Sequence, residues 1–279
     1  AQGYGRNADY FLAGSVTNMD DGRLFGGYTS LYNDDWVGLF YTTTDEDGSW
    51  SEPELIFSPP RYGPYSTPFV ETLSAGGTPA FLTLINKVVY YVRQSPDGSW
   101  DTLTSVGNFT DLGIPQSFSA TVVSGRSAYL YCSMPSPQTS NCFYARETTP
   151  DDPWPAPVPL DFMNEGEAIY GTSLAVIGDR PAIAYRQYRE GVMDVLYRRS
   201  GDEYGYRWDS PSVLASTQEC YVQGSFASMM VKLIETQDHR AVIASVVCRS
   251  SEQHVLVNVE TDDSVFSDFQ VGACTSHKL

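Results

Sequence analysis

The chain has 279 residues, with 17 basic against 34 acidic side chains and a formal charge of −17, which excludes a nucleic-acid binder working through a basic surface. Apolar residues make up 42% and charged residues 18%, enough for a large core and too little charge for a disordered chain. The longest apolar stretches, such as Ala241 to Cys248, fall far short of the ~20 residues that cross a bilayer, so membrane insertion is not expected.

No basic, apolar leader opens the chain, and Ala1-Gln2 suits a mature polypeptide released from its signal. In chain order, the first unit sets short runs around Phe11, Arg23 to Gly26 and Leu39 to Tyr41 ahead of an acidic turn, Thr44 to Trp50, and a fourth run, Glu52 to Phe57. The second repeats the plan with Phe69, Pro79 to Leu82, Val89 to Tyr91 and the turn Ser95 to Trp100. The third has Phe118, Ser127 to Leu130, Cys142 to Tyr144 and the turn Thr149 to Trp154. Leu174, Pro181 to Ala184, Val195 to Tyr197, the turn Ser200 to Trp208 and Pro211 to Leu214 make the fourth. The fifth, around Phe226, Arg240 to Ile243 and Leu256 to Asn258, ends in the degenerate turn Thr261 to Phe266. Runs this short, parted by turn residues and without a helical period, predict β-strands.

The aromatics that close the turns, Trp50, Trp100, Trp154, Trp208 and Phe266, recur every 50 to 58 residues. Four strands per unit predict a four-stranded antiparallel sheet, and one such sheet cannot bury both of its faces alone. The predicted architecture is all-β: a five-bladed β-propeller of four-stranded antiparallel sheets. It forms a single domain over residues 1–279, with blades at about 10–57, 65–107, 115–161, 169–215 and 222–275. The turn tryptophans and first-strand phenylalanines are expected to wedge between blades.

The stretch Gly171 to Tyr185, with Leu196 to Ser200 and Trp208 to Pro211 after it, resembles the propeller repeats of many secreted bacterial proteins. The acidic turns resemble the Asp-box of sialidase-type propellers, Ser-x-Asp-x-Gly-x-x-Trp. They also depart from it: Ser95 to Trp100 is two positions short, Ser200 to Trp208 is one too long, and Thr149 to Trp154 lacks the glycine. The resemblance covers nearly the whole chain and implies the fold, with the Asp-box as a structural turn away from the functional face.

With strands A to D running outward from the axis, the D-to-A and B-to-C loops share the face opposite these turns. Tyr62, Tyr65, Gln116, Tyr170, Tyr221 and Gln223 gather there and are the candidate ligand-binding residues. Planar rings stack on the C–H faces of sugars while amides satisfy their hydroxyls. Carbohydrate is therefore the expected partner, and a secreted, non-catalytic, lectin-like module the expected function. Turn formation and blade-end packing are the plainer roles for the same residues.

A glycoside hydrolase is the alternative, because Asp9, Glu71 and Glu167 stand on or just before three of the first strands and are candidates for acid and base. A sialidase fits less well: the loops offer only Arg6, Arg61, Arg186, Arg189 and Arg249 on a negative molecule, and that family has six blades. A third reading is an extracellular structural adaptor that self-assembles or binds a partner protein through Cys274.

Cys132 and Cys142 flank a turn-rich stretch and are expected to form a disulfide; the repeat matches Cys220 with Cys248, leaving Cys274 near enough to exchange. Such pairing suits an extracellular protein. Asn108 opens a glycosylation sequon, Asn108-Phe109-Thr110. Acidic pairs such as Asp20-Asp21 and Asp262-Asp263 supply hard oxygens for calcium, with solvated turns the plainer reading. No other cofactor is expected, and the three histidines lack zinc-ligand spacing, so no metal site is assigned.

Overall fold

The computed structural model describes residues 10–32, 35–58, 69–136, 139–149, 154–160, 167–218, 231–249, 252–261 and 265–274. Among them lie five four-stranded antiparallel sheets, blades 1 to 5, each a meander in which every strand pairs with the next in sequence. Blade 1 is β1 (Tyr10–Asn18), β2 (Leu24–Tyr32), β3 (Asp35–Thr43) and β4 (Glu54–Phe57). Blade 2 is β5 (Phe69–Ala75), β6 (Thr78–Ile85), β7 (Val88–Arg93) and β8 (Thr104–Asn108). Blade 3 is β9 (Ile114–Val123), β10 (Arg126–Ser136), β11 (Thr139–Arg146) and β12 (Val158–Leu160). Blade 4 is β13 (Ala168–Ile177), β14 (Arg180–Arg189), β15 (Val192–Arg199) and β16 (Ser212–Gln218). Blade 5 is β17 (Val231–Glu235), β18 (Ala241–Arg249), β19 (Glu252–Glu260) and β20 (Phe266–Cys274). The chain divides into two compact units, Ala1–Asp111 with blades 1 and 2 and Leu112–Leu279 with blades 3 to 5.

In the second unit, both faces of blade 4 are core. Along β14, Ile183 and Tyr185 enter a cluster with Ala128, Leu130 and Tyr144 of blade 3. Ala182 and Ala184 enter another with Leu233, Ile243 and Leu256 of blade 5. A strand that is apolar on both faces needs a sheet on each side, which is why its sequence loses the simple alternation of a half-exposed strand.

In the first unit, Phe25, Leu39, Val70, Phe81, Ile85 and Val92 form the shared core of blades 1 and 2. Gly27 permits the close approach of the two sheets, since a Cβ there would lie 1.9 Å from the Phe81 ring. Trp100 wedges between these blades, 6.3 Å from Phe25 and 5.0 Å from Tyr41. Trp208 does the same against Tyr144 at 5.9 Å, and Phe266 against Tyr197 at 5.1 Å. The expected wedge takes other forms elsewhere: Trp154 packs on Tyr129 of its own blade, and Trp50 is 47% exposed.

Adjacent blades are stitched through their first strands. The Ser117 and Ser119 hydroxyls of β9 accept the backbone amides of Thr172 and Leu174 in β13, at 2.9 and 3.0 Å. Ser173 of β13 in turn accepts the amide of Leu233 in β17 at 3.0 Å. In the first unit Thr72 donates to Ser15 at 3.1 Å. The first strand is the edge of each sheet, so the Ser117, Ser119 and Ser173 hydroxyls satisfy outward backbone amides of the next blade that the sheet itself leaves unpaired.

The acidic turns connect the third and fourth strands. Asp47 and Asp97 each accept the amide and the hydroxyl of the serine two residues on, and these bonds hold both carboxyls below the usual carboxylate range. Asp202 accepts four backbone amides, from Tyr204, Gly205, Tyr206 and Arg207. Its partial burial works against ionisation, yet the amides together draw its pKa down.

A disulfide joins Cys132 to Cys142, directly opposite each other in β10 and β11 and both buried. Cys220 lies outside the described residues. Cys248 and Cys274 both stand opposite Gln253, in the strands that flank β19. Asn108 ends β8 with its side chain exposed, and its Oδ1 accepts the amide and hydroxyl of Thr110.

Candidate functional site

Of the sequence-predicted residues among those described, Glu167 and Tyr170 stand at one end of blade 4, where β13 enters and β14 leaves. A β-bulge between Ile169 and Gly171 makes Tyr170 an extra residue in β13, because Ile169 pairs with Gln187 and Gly171 with Arg186. The Tyr170 ring stands edge-on to Tyr188 with centroids 6.3 Å apart, and both tyrosines are half-buried.

Glu167, immediately before β13, is buried. The Arg189 guanidinium lies 3.9 Å from Glu167 Oε1 and 4.0 Å from Asp194 Oδ2, so one cation stands between two buried carboxylates. Asp194 also accepts the Ser216 hydroxyl at 2.5 Å, and its register partner Gln187 is buried beside it. Gln116 of blade 3 is half-buried next to Ser117, whose hydroxyl meets that of Thr172 at 2.5 Å. Arg186 is buried on the other face of β14, the one packed on blade 5.

Of the other candidates, Glu71 sits in β5 of the first unit and accepts a hydrogen bond from Ser15 at 3.3 Å. Asp9, Tyr62, Tyr65, Tyr221 and Gln223 lie outside the described residues. Gln187, Tyr188 and Asp194 were not singled out by sequence. The signal was the run Tyr185 to Arg189, unusually polar for a strand with two buried faces. Among the described residues no group of three or more His, Cys, Asp or Glu side chains could hold a metal ion, and no helix is long and apolar enough to cross a membrane. The first unit carries a separate cleft of about 330 Å³ on the face of blade 1, walled by Tyr28 and Trp50 and floored by Gly14, Gly26 and Gly27.

No protein-family model matches the chain, and no curated protein does. Solved structures do. The α-L-arabinanase of Penicillium chrysogenum, complexed with arabinobiose, matches over 92% of this chain and 80% of its own, at 11% identity and a TM-score of 0.59. The Aleuria aurantia lectin, a six-bladed β-propeller that recognises fucose, matches over 95% of this chain and 78% of its own, at 12% identity and 0.52. A Trypanosoma rangeli sialidase matches over 95%, with only 55% of its own length covered, at 12% identity and 0.53. At these identities the likeness shows the fold: a β-propeller, here with five four-stranded blades.

Proposed function

We propose that this protein is a secreted, non-catalytic, carbohydrate-binding propeller that receives its ligand at the β13–β14 end of blade 4. The observation that carries this reading is the half-buried Tyr170–Tyr188 pair, at the same end of blade 4 as the buried Gln187, Glu167 and Asp194. It offers aromatic surface to sugar C–H groups and polar groups to sugar hydroxyls. The likeness to an arabinanase and to a fucose-binding lectin supports carbohydrate as the ligand class and leaves cleavage against binding to the site itself.

A glycosidase is the second reading, favoured by the two buried carboxylates. Against it stands Arg189, which occupies the space between them where a scissile bond and its water would have to lie.

Calorimetric titration with a panel of neutral and acidic oligosaccharides tests both. Binding that weakens about ten-fold or more in Tyr170→Ala or Tyr188→Ala, the scale of one lost aromatic contact, supports the proposal. Absence of binding across the panel rejects it. Reducing-sugar release that is abolished by Glu167→Gln would establish the hydrolase instead.

A further inference from the structure

Arg186 is 4% exposed, yet its Nε and Nη1 have no hydrogen-bond partner. Among the described residues no carboxylate lies within ion-pair distance of it, in a chain with 34 acidic side chains. Burial pushes its pKa down to about 10, so it remains a cation at neutral pH. A buried guanidinium without a counter-ion is among the costliest groups a fold can keep.

Its surroundings are specific. Arg186 follows Ala182 and Ala184 on the face of β14 that packs on blade 5, and Ala175 adds to the same wall. On the facing wall, Ser245 alternates along β18 with Ile243 and Val247, both in that cluster, and its buried hydroxyl also lacks a partner. Two unsatisfied polar groups, one able only to donate and one able to donate or accept, therefore address the same interface. Tyr188, two residues beyond Arg186 on that face of β14, brings the aromatic pair to its edge.

We propose that Arg186 and Ser245 form a site, between blades 4 and 5, for an oxyanion substituent of the ligand, a carboxylate or a sulfate, with Tyr170 and Tyr188 at its rim. That the oxyanion is carried by a sugar rests on the function proposed above; the oxyanion itself does not. The charge of −17 slows the approach of an anion, but that field is screened beyond about 8 Å at physiological ionic strength. Once inside, the anion meets a desolvated cation at short range.

Calorimetric titration of the full chain with sodium acetate, sodium sulfate, glucuronate and glucose, at constant chloride, tests the site. Glucuronate together with acetate points to a carboxylate, and sulfate alone to a sulfate ester. In either case Arg186→Met, checked for native circular dichroism, weakens binding by about ten-fold or more, and Ser245→Ala by a few-fold. Arg186→Lys, which keeps the charge, retains part of the affinity. Acetate or sulfate bound through Arg186 without binding of any glycan supports the oxyanion site and rejects the carbohydrate reading. Neutral glycans bound equally by wild type and Arg186→Met, with no response to any anion, overturn the oxyanion site and leave the carbohydrate reading intact. Anion binding unchanged in Arg186→Met also overturns it.

Discussion

The phenol of Tyr144 in blade 3 donates to the backbone carbonyl of Tyr204 in blade 4 at 2.8 Å, tying the Trp208 turn to the neighbouring sheet. Trp208 meets the same ring edge-on, and Arg146 lies 5.0 Å over the Tyr204 ring. Gly205 fits beneath because it has no Cβ: one there would lie 2.7 Å from the Tyr144 ring, on a backbone with φ +86°. Gly205→Ala is expected to cost about 2–3 kcal/mol through clash and backbone strain. Tyr144→Phe should cost about 1 kcal/mol. Urea unfolding of the two variants side by side checks the order, which reverses if the turn relaxes freely.

Asp202 organises that turn through its four amide bonds. Asp202→Ala should lower stability by about 1–2 kcal/mol, as loss of a helix cap does. Its folded pKa lies below the unfolded value. The contribution is therefore fully present above the unfolded pKa, near 3.9, and is lost as the pH falls through the folded one. Acid unfolding of wild type and Asp202→Asn should show a smaller loss of stability in the variant over that window.

The serine stitches have a local readout. Ser173→Ala leaves the buried Leu233 amide without its acceptor, at a cost of about 1–3 kcal/mol. Hydrogen exchange at the start of β17 should accelerate while exchange in blade 3 stays unchanged. Equal acceleration throughout the unit would mean that the bond does not act locally.

Replacing Cys132 and Cys142 together by alanine opens a link that spans a sequence separation of 10. The loop-entropy account gives a loss of about 2–3 kcal/mol. Both sulfurs are buried, so native protein should resist a reductant that acts readily once denaturant is added. Thiol titration with and without denaturant distinguishes the two states.

Much of the fold was legible because its signal is repeated. Trp50, Trp100, Trp154 and Trp208 stand at near-constant intervals after acidic turns, and the turns need Gly48, Gly98 and Gly205 at positive φ. The site was less legible because it depends on the parity of one strand. The bulge at Tyr170 shifts which residues of β13 face which neighbour. Arg186 and Tyr188 fall on one face of β14 and Gln187 and Arg189 on the other, but which face meets which blade shows only in the packed sheets. Asp194 enters through cross-strand pairing with Gln187, a relation no local motif records.

The stitches between first strands also have a direction. In the second unit the hydroxyls of Ser117, Ser119 and Ser173 accept, and the backbone amides of Thr172, Leu174 and Leu233 that donate to them belong to the blade that comes later in the chain. As the polypeptide leaves the ribosome, each finished meander, closed by local hairpins of low contact order, already presents the hydroxyls its successor must meet. Assembly within that unit can thus proceed vectorially, with one blade serving as the template for the next.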